Sequence, residues 1–434
     1  MKQSSAIKNA GWIIGCKIIK ALLTLIVTMI TARYLGPANY GLISYAASIV
    51  AFVAPIMKLG LDSILVHEIV NDEKNESKIL GTSILMSLLS AIMCIIGIYL
   101  FVSIINAGEK ETIIVCLIYS ILLIFQAFEM IQYWFQAKLL AKYSSIAMLL
   151  SYILVTGFQI FLLITNKSVY WFAISNSMDY MIISLILYSI YKKQQTKKLS
   201  FSFDICKKMI KKSKYYILAN LMVTIYAQTD KIMLKLMMDN ASVGYYSAAV
   251  TCAGMASFVF AAIIDSARPL IFEAKKNNNL IKYEKGIISL YSIVIYFSIF
   301  ICLIVTFLAP LIIKIMYGNE YINSISILRI IVWYTTFSYL GSARTIWIMA
   351  ESKHNYLMLI NSAGVFLNIF INYMLIPVYG ISGAAIATVL TEIFVNYIIT
   401  FFIKPIKNNN VLIAKALNIN KCINLIKKSR GDYK

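Results

Sequence analysis

Charge is scarce in this chain: Asp, Glu, Lys and Arg make up 14% of its 434 residues. A soluble domain carries roughly 25%, so the chain cannot clothe itself in a polar surface. Only two histidines occur, His67 and His354, and both fall in short connecting segments as ordinary surface residues. The seven cysteines form no CxxC pair, which argues against disulfides and a metal centre. No GxxxxGK[ST] occurs, so no nucleotide-binding loop of that kind is present. No segment is long and polar enough for a soluble basic domain, which excludes nucleic acid as a partner. Ile13-Ile14-Gly15-Cys16 has the outline of a lipoprotein cleavage box. Only a few apolar residues precede it, however, where a cleaved leader needs a core of about 7–15.

Apolar residues are abundant: 60% of the chain is hydrophobic and its mean hydropathy is +0.78. Crossing about 30 Å of hydrocarbon at 1.5 Å per residue takes about 20 apolar residues, and in lipid such runs must be helical. The sequence predicts an all-α integral membrane protein with spans near 10–32, 41–60, 80–105, 112–136, 144–165, 170–191, 215–237, 244–264, 287–315, 325–349, 355–376 and 383–403. The domain reading is a six-helix lobe over 1–191, a basic linker over 192–214, a second lobe over 215–403 and a basic tail over 404–434.

With twelve spans and an inner N-terminus, 31 of the 40 Lys and Arg residues fall on the inner side and 7 on the outer. That bias obeys the positive-inside rule and puts both termini in the cytoplasm. It also accounts for most of the net charge of +21 and makes anionic membrane lipids the expected partners of the basic loops. Two amphipathic stretches suit the inner surface: Phe203, Cys206, Met209 and Ile210 among lysines, and Leu412, Ile419, Ile423 and Ile426 in the tail.

The chain also resembles itself. Residues 37–46 (PANYGLISYA) align with 240–249 (NASVGYYSAA) at an offset of 203, with Ala, Gly, Ser and Ala coinciding. Both copies lie between the first and second spans of their half. An offset of six helices preserves orientation, so the repeat is parallel, about an axis along the membrane normal.

Polar residues inside the spans fall in stripes. Lys17, Lys20, Thr24, Thr28 and Thr31 lie within about an 80° arc of the first span. Asn220, Thr224, Lys231 and Lys235 share about a 60° arc of the seventh. A Lys at mid-membrane costs about 2.5–3.5 kcal/mol on insertion scales, so two such stripes predict a wet lumen shared by the halves. Snorkelling of Lys17 and Lys20 to the inner surface is the plainer alternative. Gln126, Glu129, Tyr133 and Gln136 form a third stripe, and Asn361, Asn368 and Asn372 a fourth that serves equally as interhelical hydrogen bonding. Glu129, Asp179, Asp230 and Glu392 are the ion-coupling candidates. The small-residue faces Ser44, Ser48, Ala51 and Ser247, Thr251, Gly254 read as helix packing.

Several motifs carry a family resemblance. They are Ala32-Arg33-Tyr34-Leu35-Gly36-Pro37 running to Tyr40-Gly41, and Tyr133-Trp134-Phe135-Gln136-Ala137. Thr229-Asp230-Lys231-Ile232-Met233-Leu234 and Val243-Gly244-Tyr245-Tyr246-Ser247-Ala248-Ala249 follow. Met316-Tyr317-Gly318, and Asn368 to Ile376-Pro377-Val378-Tyr379-Gly380-Ile381-Ser382-Gly383-Ala384-Ala385, complete the set. In order and spacing they resemble the polysaccharide transporter branch of the multidrug/oligosaccharidyl-lipid/polysaccharide (MOP) flippase superfamily, the O-antigen or capsule repeat-unit flippases.

That resemblance implies a MATE-like, V-shaped transporter in the bacterial inner membrane. It implies export of undecaprenyl-diphosphate-linked oligosaccharide from the cytoplasmic to the outer leaflet, without a cofactor. A polysaccharide polymerase and a chain-length regulator are its candidate partners. Lumenal cations meet the diphosphate and sugar acids in such proteins, a role that would fall on Lys17, Lys20, Lys231 and Lys235. Some relatives have fourteen spans, and twelve leave out the helices of a lipid-tail groove. Two other functions compete. A drug/cation antiporter of this fold calls for a lumen dominated by carboxylates. A membrane polymerase or ligase calls for a large outer loop, whereas 106–111, 166–169, 238–243 and 377–382 are short.

Overall fold

The computed structural model describes the backbone of residues 2–194 and 198–418, and side chains from residue 19 onward except 22. Every regular element among these residues is helical. Among the described residues, nine helices are long and apolar enough to cross a membrane by length and composition. The difference from twelve has three local causes. Lys2–Met57 is two helices in tandem: Gly36, at φ 70 and ψ 171, leaves helical geometry, and Pro37 opens the next helix. Phe203–Met237 is long enough, but its lysines and Asp230 make it polar. The tenth span is divided into Ser324–Ile331 and Tyr334–Ala350, each short of a full crossing. All twelve predicted segments are helical.

The Gly36 break is a reversal. Before it, Tyr34 OH donates to the carbonyl of Lys167 at 3.1 Å; after it, Tyr45 OH donates to Asn106 Oδ1 at 3.0 Å. Lys167 and Asn106 lie in the predicted outer loops. At its far end this second helix packs on Glu76–Ile105, whose Ser90 Oγ donates to the Ile56 carbonyl at 3.1 Å. Two left-handed residues, Leu59 (φ 52) and Gly60 (φ 64), then turn the chain back.

The described chain divides into two compact units, Met1–Gly244 and Tyr245–Lys434. In the first, Leu61, Leu65, Leu80, Met130, Phe135, Leu187 and Met209 share a core. In the second, Phe260, Tyr291, Ala343, Ile348, Ile360 and Ile413 do so. The outer faces of the helices are apolar too: Met93, Ile104, Ile164, Phe307 and Phe366 are each at least 73% exposed. Exposed apolar surface on that scale belongs against acyl chains.

Protein covers part of each amphipathic stretch. Met209 is buried in the first core, though Phe203 and Ile210 are exposed. Leu412 packs into the second core, and Ala416 and Leu417 accept hydrogen bonds from Ser292 and Tyr296 of helix Leu280–Met316. Coverage by protein replaces coverage by lipid there. Ile419, Ile423 and Ile426 lie outside the described residues. Arg344, counted as an inner-loop cation, is buried inside Tyr334–Ala350, where its guanidinium donates to Val395 O at 3.0 Å and Asn396 Oδ1 at 3.3 Å.

Candidate functional site: a polar cavity in the first unit

A cavity of about 560 Å³ opens in the first unit. One wall is the small-residue face Ala47, Ala51 and Ala54, whose short side chains leave the space. Lys58 and Asp62 stand where that helix ends. Gln126 and Tyr180 come from the fourth and sixth spans, and Asn220, Thr224 and Gln228 from helix Phe203–Met237. The wall therefore offers an ammonium and a carboxylate at the helix end, with carboxamides and hydroxyls further along the spans.

Local breaks aim these groups. The fourth span tightens into a 3₁₀ turn at Ala127–Glu129, a feature often found where a helix has functional work. Glu129 is buried there, with an oxygen 3.7 Å from Lys58 Nζ. That spacing is longer than a hydrogen bond, so the ammonium keeps donors for another acceptor. A second pair lies nearby: Lys20 Nζ is 3.6 Å from Asp179 Oδ2 and 5.2 Å from the Tyr152 ring centroid. Ser151 Oγ donates to Asp179 Oδ1 at 2.7 Å.

Of the predicted substrate residues, Gln126, Asn220 and Thr224 line the cavity together. Thr224 also donates to Asn220 O at 2.9 Å. Glu129 and Lys20 stand in the flanking ion pairs. Thr24 is exposed and donates back to Lys20 O at 2.7 Å, while Thr28 and Tyr133 are half-buried outside the lining. The side chain of Lys17 lies outside the described residues. Lys231 and Lys235 continue the face of Asn220 and Thr224 but sit beyond the cavity. Asp230 beside them is buried. Glu392 is in the second unit, buried, accepting from Asn396 Nδ2. Lys58, Asp62 and Gln228 were not anticipated. Gln228 lies about 80° from Asn220 on the helical wheel, close enough for the periodicity to have found it.

Lys235 is nearly buried and its ammonium donates to Glu109 Oε2 at 2.6 Å. Burial alone would raise the Glu109 carboxyl, but the hydrogen bonds from Lys235 and Thr112 outweigh it and hold it below its ordinary range. A depressed carboxylate adds stability above its unfolded pKa of about 4.3 and loses it as pH falls through the lower folded value. Thermal melts from pH 7 to 3 are therefore expected to show an acid-side fall that is shallower in Lys235→Met. Parallel curves would refute the coupling.

Architecture places the chain in a class. An inward-facing multidrug resistance MATE family transporter of the MOP superfamily superposes with a TM-score of 0.68 at 14% identity, covering 92% of this chain and 96% of that one. The lipid II flippase MurJ, in an inward closed conformation, superposes with a TM-score of 0.74 at 16% identity, covering 97% and 93%. The fold is thus that of the MATE-like membrane transporters, and the protein is a multi-pass membrane protein.

Sequence narrows the class. "Capsular polysaccharide biosynthesis protein CapF" of Staphylococcus aureus is 21% identical over 397 residues, which are 89% of this chain and 96% of that protein. The profile of the family described as "Polysaccharide biosynthesis protein" matches residues 6–275, well over half the chain, and the chain belongs to that family. The resemblance drawn from the motifs is borne out. Family and fold are thus fixed independently, the one by sequence and the other by architecture.

Proposed function

We propose that this chain flips a lipid-linked oligosaccharide, an undecaprenyl-diphosphate-linked O-antigen or capsule repeat unit, from the cytoplasmic to the outer leaflet of the bacterial inner membrane. One observation carries the reading: a cavity walled by carboxamides, hydroxyls and a loosely held ammonium, among apolar helices, in a polysaccharide-biosynthesis protein with a transporter fold. Diphosphate and sugar hydroxyls cannot cross bare hydrocarbon without such partners. Lys58 would meet the diphosphate, since charge-assisted contacts of about 2.7–2.9 Å are shorter than its 3.7 Å spacing to Glu129. Asn220, Gln126, Thr224 and Gln228 would meet sugar hydroxyls, while the polyprenyl tail stays in lipid.

In this reading the lobes 1–191 and 215–403 alternate between inward and outward openings, both termini are cytoplasmic, and an ion gradient or the membrane potential drives the cycle. Glu129, Asp179, Asp230 and Glu392 are its coupling candidates. Lys17, Lys20, Lys231 and Lys235 complete the cationic path. A polymerase and a chain-length regulator would act on the exported unit. The pairing of Glu129 with Lys58 and of Asp179 with Lys20 counts against a carboxylate-dominated drug/cation antiporter.

A strain lacking the gene is expected to accumulate undecaprenyl-linked repeat units on the inner leaflet, and this chain should clear them. Asn220→Leu together with Thr224→Val should cut clearance about tenfold or more, the cost of about two lost hydrogen bonds at roughly 1 kcal/mol each. Protein level in the membrane should be unchanged. Full clearance by the double variant would remove the cavity from the transport path.

A further inference from the structure

The start of helix Phe203–Met237 has two faces with different fates. One is locked to the first unit. Met209 is buried in its core, with Ser83 Oγ 3.7 Å from the Met209 sulfur. The Ser213 carbonyl lies where a Cβ on Gly60 would approach to 2.8 Å. Lys212 and Lys208 both pair with the buried Glu68, the latter at 3.4 Å. Just upstream, Ser202 N–H donates to Thr82 Oγ1 at 3.0 Å, and Ser200 packs against Gly81. These anchors all belong to the predicted inner ends of spans or to the inner loop 58–78. The segment from Ser200 to Ser213 therefore runs along the inner rim.

The opposite face is built for something else. At 100° per residue, Phe203, Lys207, Ile210, Lys211 and Lys214 fall within about a 100° arc. All five are exposed, Phe203 at 73% and Ile210 at 47%. Tyr215, under the Lys214 ammonium at 4.9 Å, extends the same mixture and is 72% exposed. Asp204 is the one carboxylate nearby on this helix and lies at the edge of the arc. Glu68 has already taken Lys208 and Lys212, on the other face. A phenyl and a branched alkyl group left this open to water are unfavourable. The same groups between three ammoniums suit the boundary between headgroups and acyl chains.

We propose that this face binds anionic phospholipid of the inner leaflet: Lys207, Lys211 and Lys214 hold phosphate headgroups while Phe203 and Ile210 enter the upper acyl layer. The Glu68 clasp fixes the helix so that lipid charge acts on a strap joined directly to the cavity-lining stretch Asn220–Gln228. Each Lys near an anionic surface is worth about 1 kcal/mol, roughly fivefold in partitioning, so three contribute about a hundredfold at low salt. The binding does not depend on what the transporter carries.

The test uses the full-length protein in nanodiscs of phosphatidylcholine with about one-third phosphatidylglycerol. Lipid retained after mild detergent extraction is quantified by mass spectrometry. Wild type should retain phosphatidylglycerol severalfold above its bulk share. Lys207→Gln/Lys211→Gln/Lys214→Gln should lose that enrichment, and Phe203→Ser should lose part of it. Lys208→Gln/Lys212→Gln removes charge from the clasped face and should keep the enrichment while lowering thermal stability. Equal retention by wild type and the triple variant would overturn the proposal. So would an equal loss in the clasped-face variant, which would mark a nonspecific charge effect. Release of the retained lipid by millimolar inorganic phosphate would also overturn it, by showing a free-anion site.

Discussion

Gly41→Ala is expected to be among the most damaging single-methyl changes in the protein. A Cβ at Gly41 would lie 1.7 Å from the Asn240 carbonyl oxygen, and one at Gly244 would lie 2.0 Å from the Pro37 carbonyl oxygen. Carbon and oxygen need about 3.3 Å, so the two segments would have to separate by on the order of 1.5 Å. The obstacle is backbone on both sides, which no rotamer change relieves. Overpacking of this kind costs about 1–3 kcal/mol, occasionally more, and the upper end is expected here. Gly97→Ala is the control: nothing lies within 4 Å of its added Cβ, and relief of glycine's helical penalty should stabilise by roughly 0.5–1 kcal/mol. Melting of the two variants in detergent, alongside export of lipid-linked repeat units, decides the matter. Wild-type stability and export in Gly41→Ala would mean that the contact is dispensable.

The second large effect belongs to Lys58 and Glu129. Lys58→Ala leaves the buried Glu129 carboxylate without its ammonium. Breaking a buried pair costs roughly 3–5 kcal/mol; with Lys58 22% exposed, water offsets part, and the lower end is expected. Lys58→Met with Glu129→Gln removes both charges and should recover most of that stability. Export should not recover, because the diphosphate has lost a charge-assisted partner worth about 1.5–3 kcal/mol, or roughly 10–100-fold. Stability and transport thus separate in one pair of variants. Export at wild-type rate in the double variant would show that the Lys58 ammonium never meets the cargo.

The sequence read well wherever period and hydropathy act within one helix. Twelve apolar segments became twelve helical stretches, and the stripe of Asn220 and Thr224 faces a cavity. What escaped depends on chain far away. Lys20 meets Asp179 and Lys58 meets Glu129 only through the fold, so lysines taken as isolated charges stand beside carboxylates. Lys58 and Asp62 read as loop residues because a hydropathy window ends where their helix turns, at Leu59 and Gly60. The linker's amphipathic period was visible, but not which of its faces protein covers. Met209 went to the core and Phe203 did not.

The 203-residue repeat has a consequence for compensation. In that alignment Pro37 corresponds to Asn240 and Gly41 to Gly244, and a Cβ on Gly41 would meet the Asn240 carbonyl as one on Gly244 would meet that of Pro37. A side chain grown at one glycine meets main chain that every amino acid possesses. No exchange at the facing position can make room, so suppressors of Gly41→Ala should arise in distant helices and never at residue 244. The duplicated segment can diverge along its outward faces, but where the two copies touch, neither is free to drift without the other.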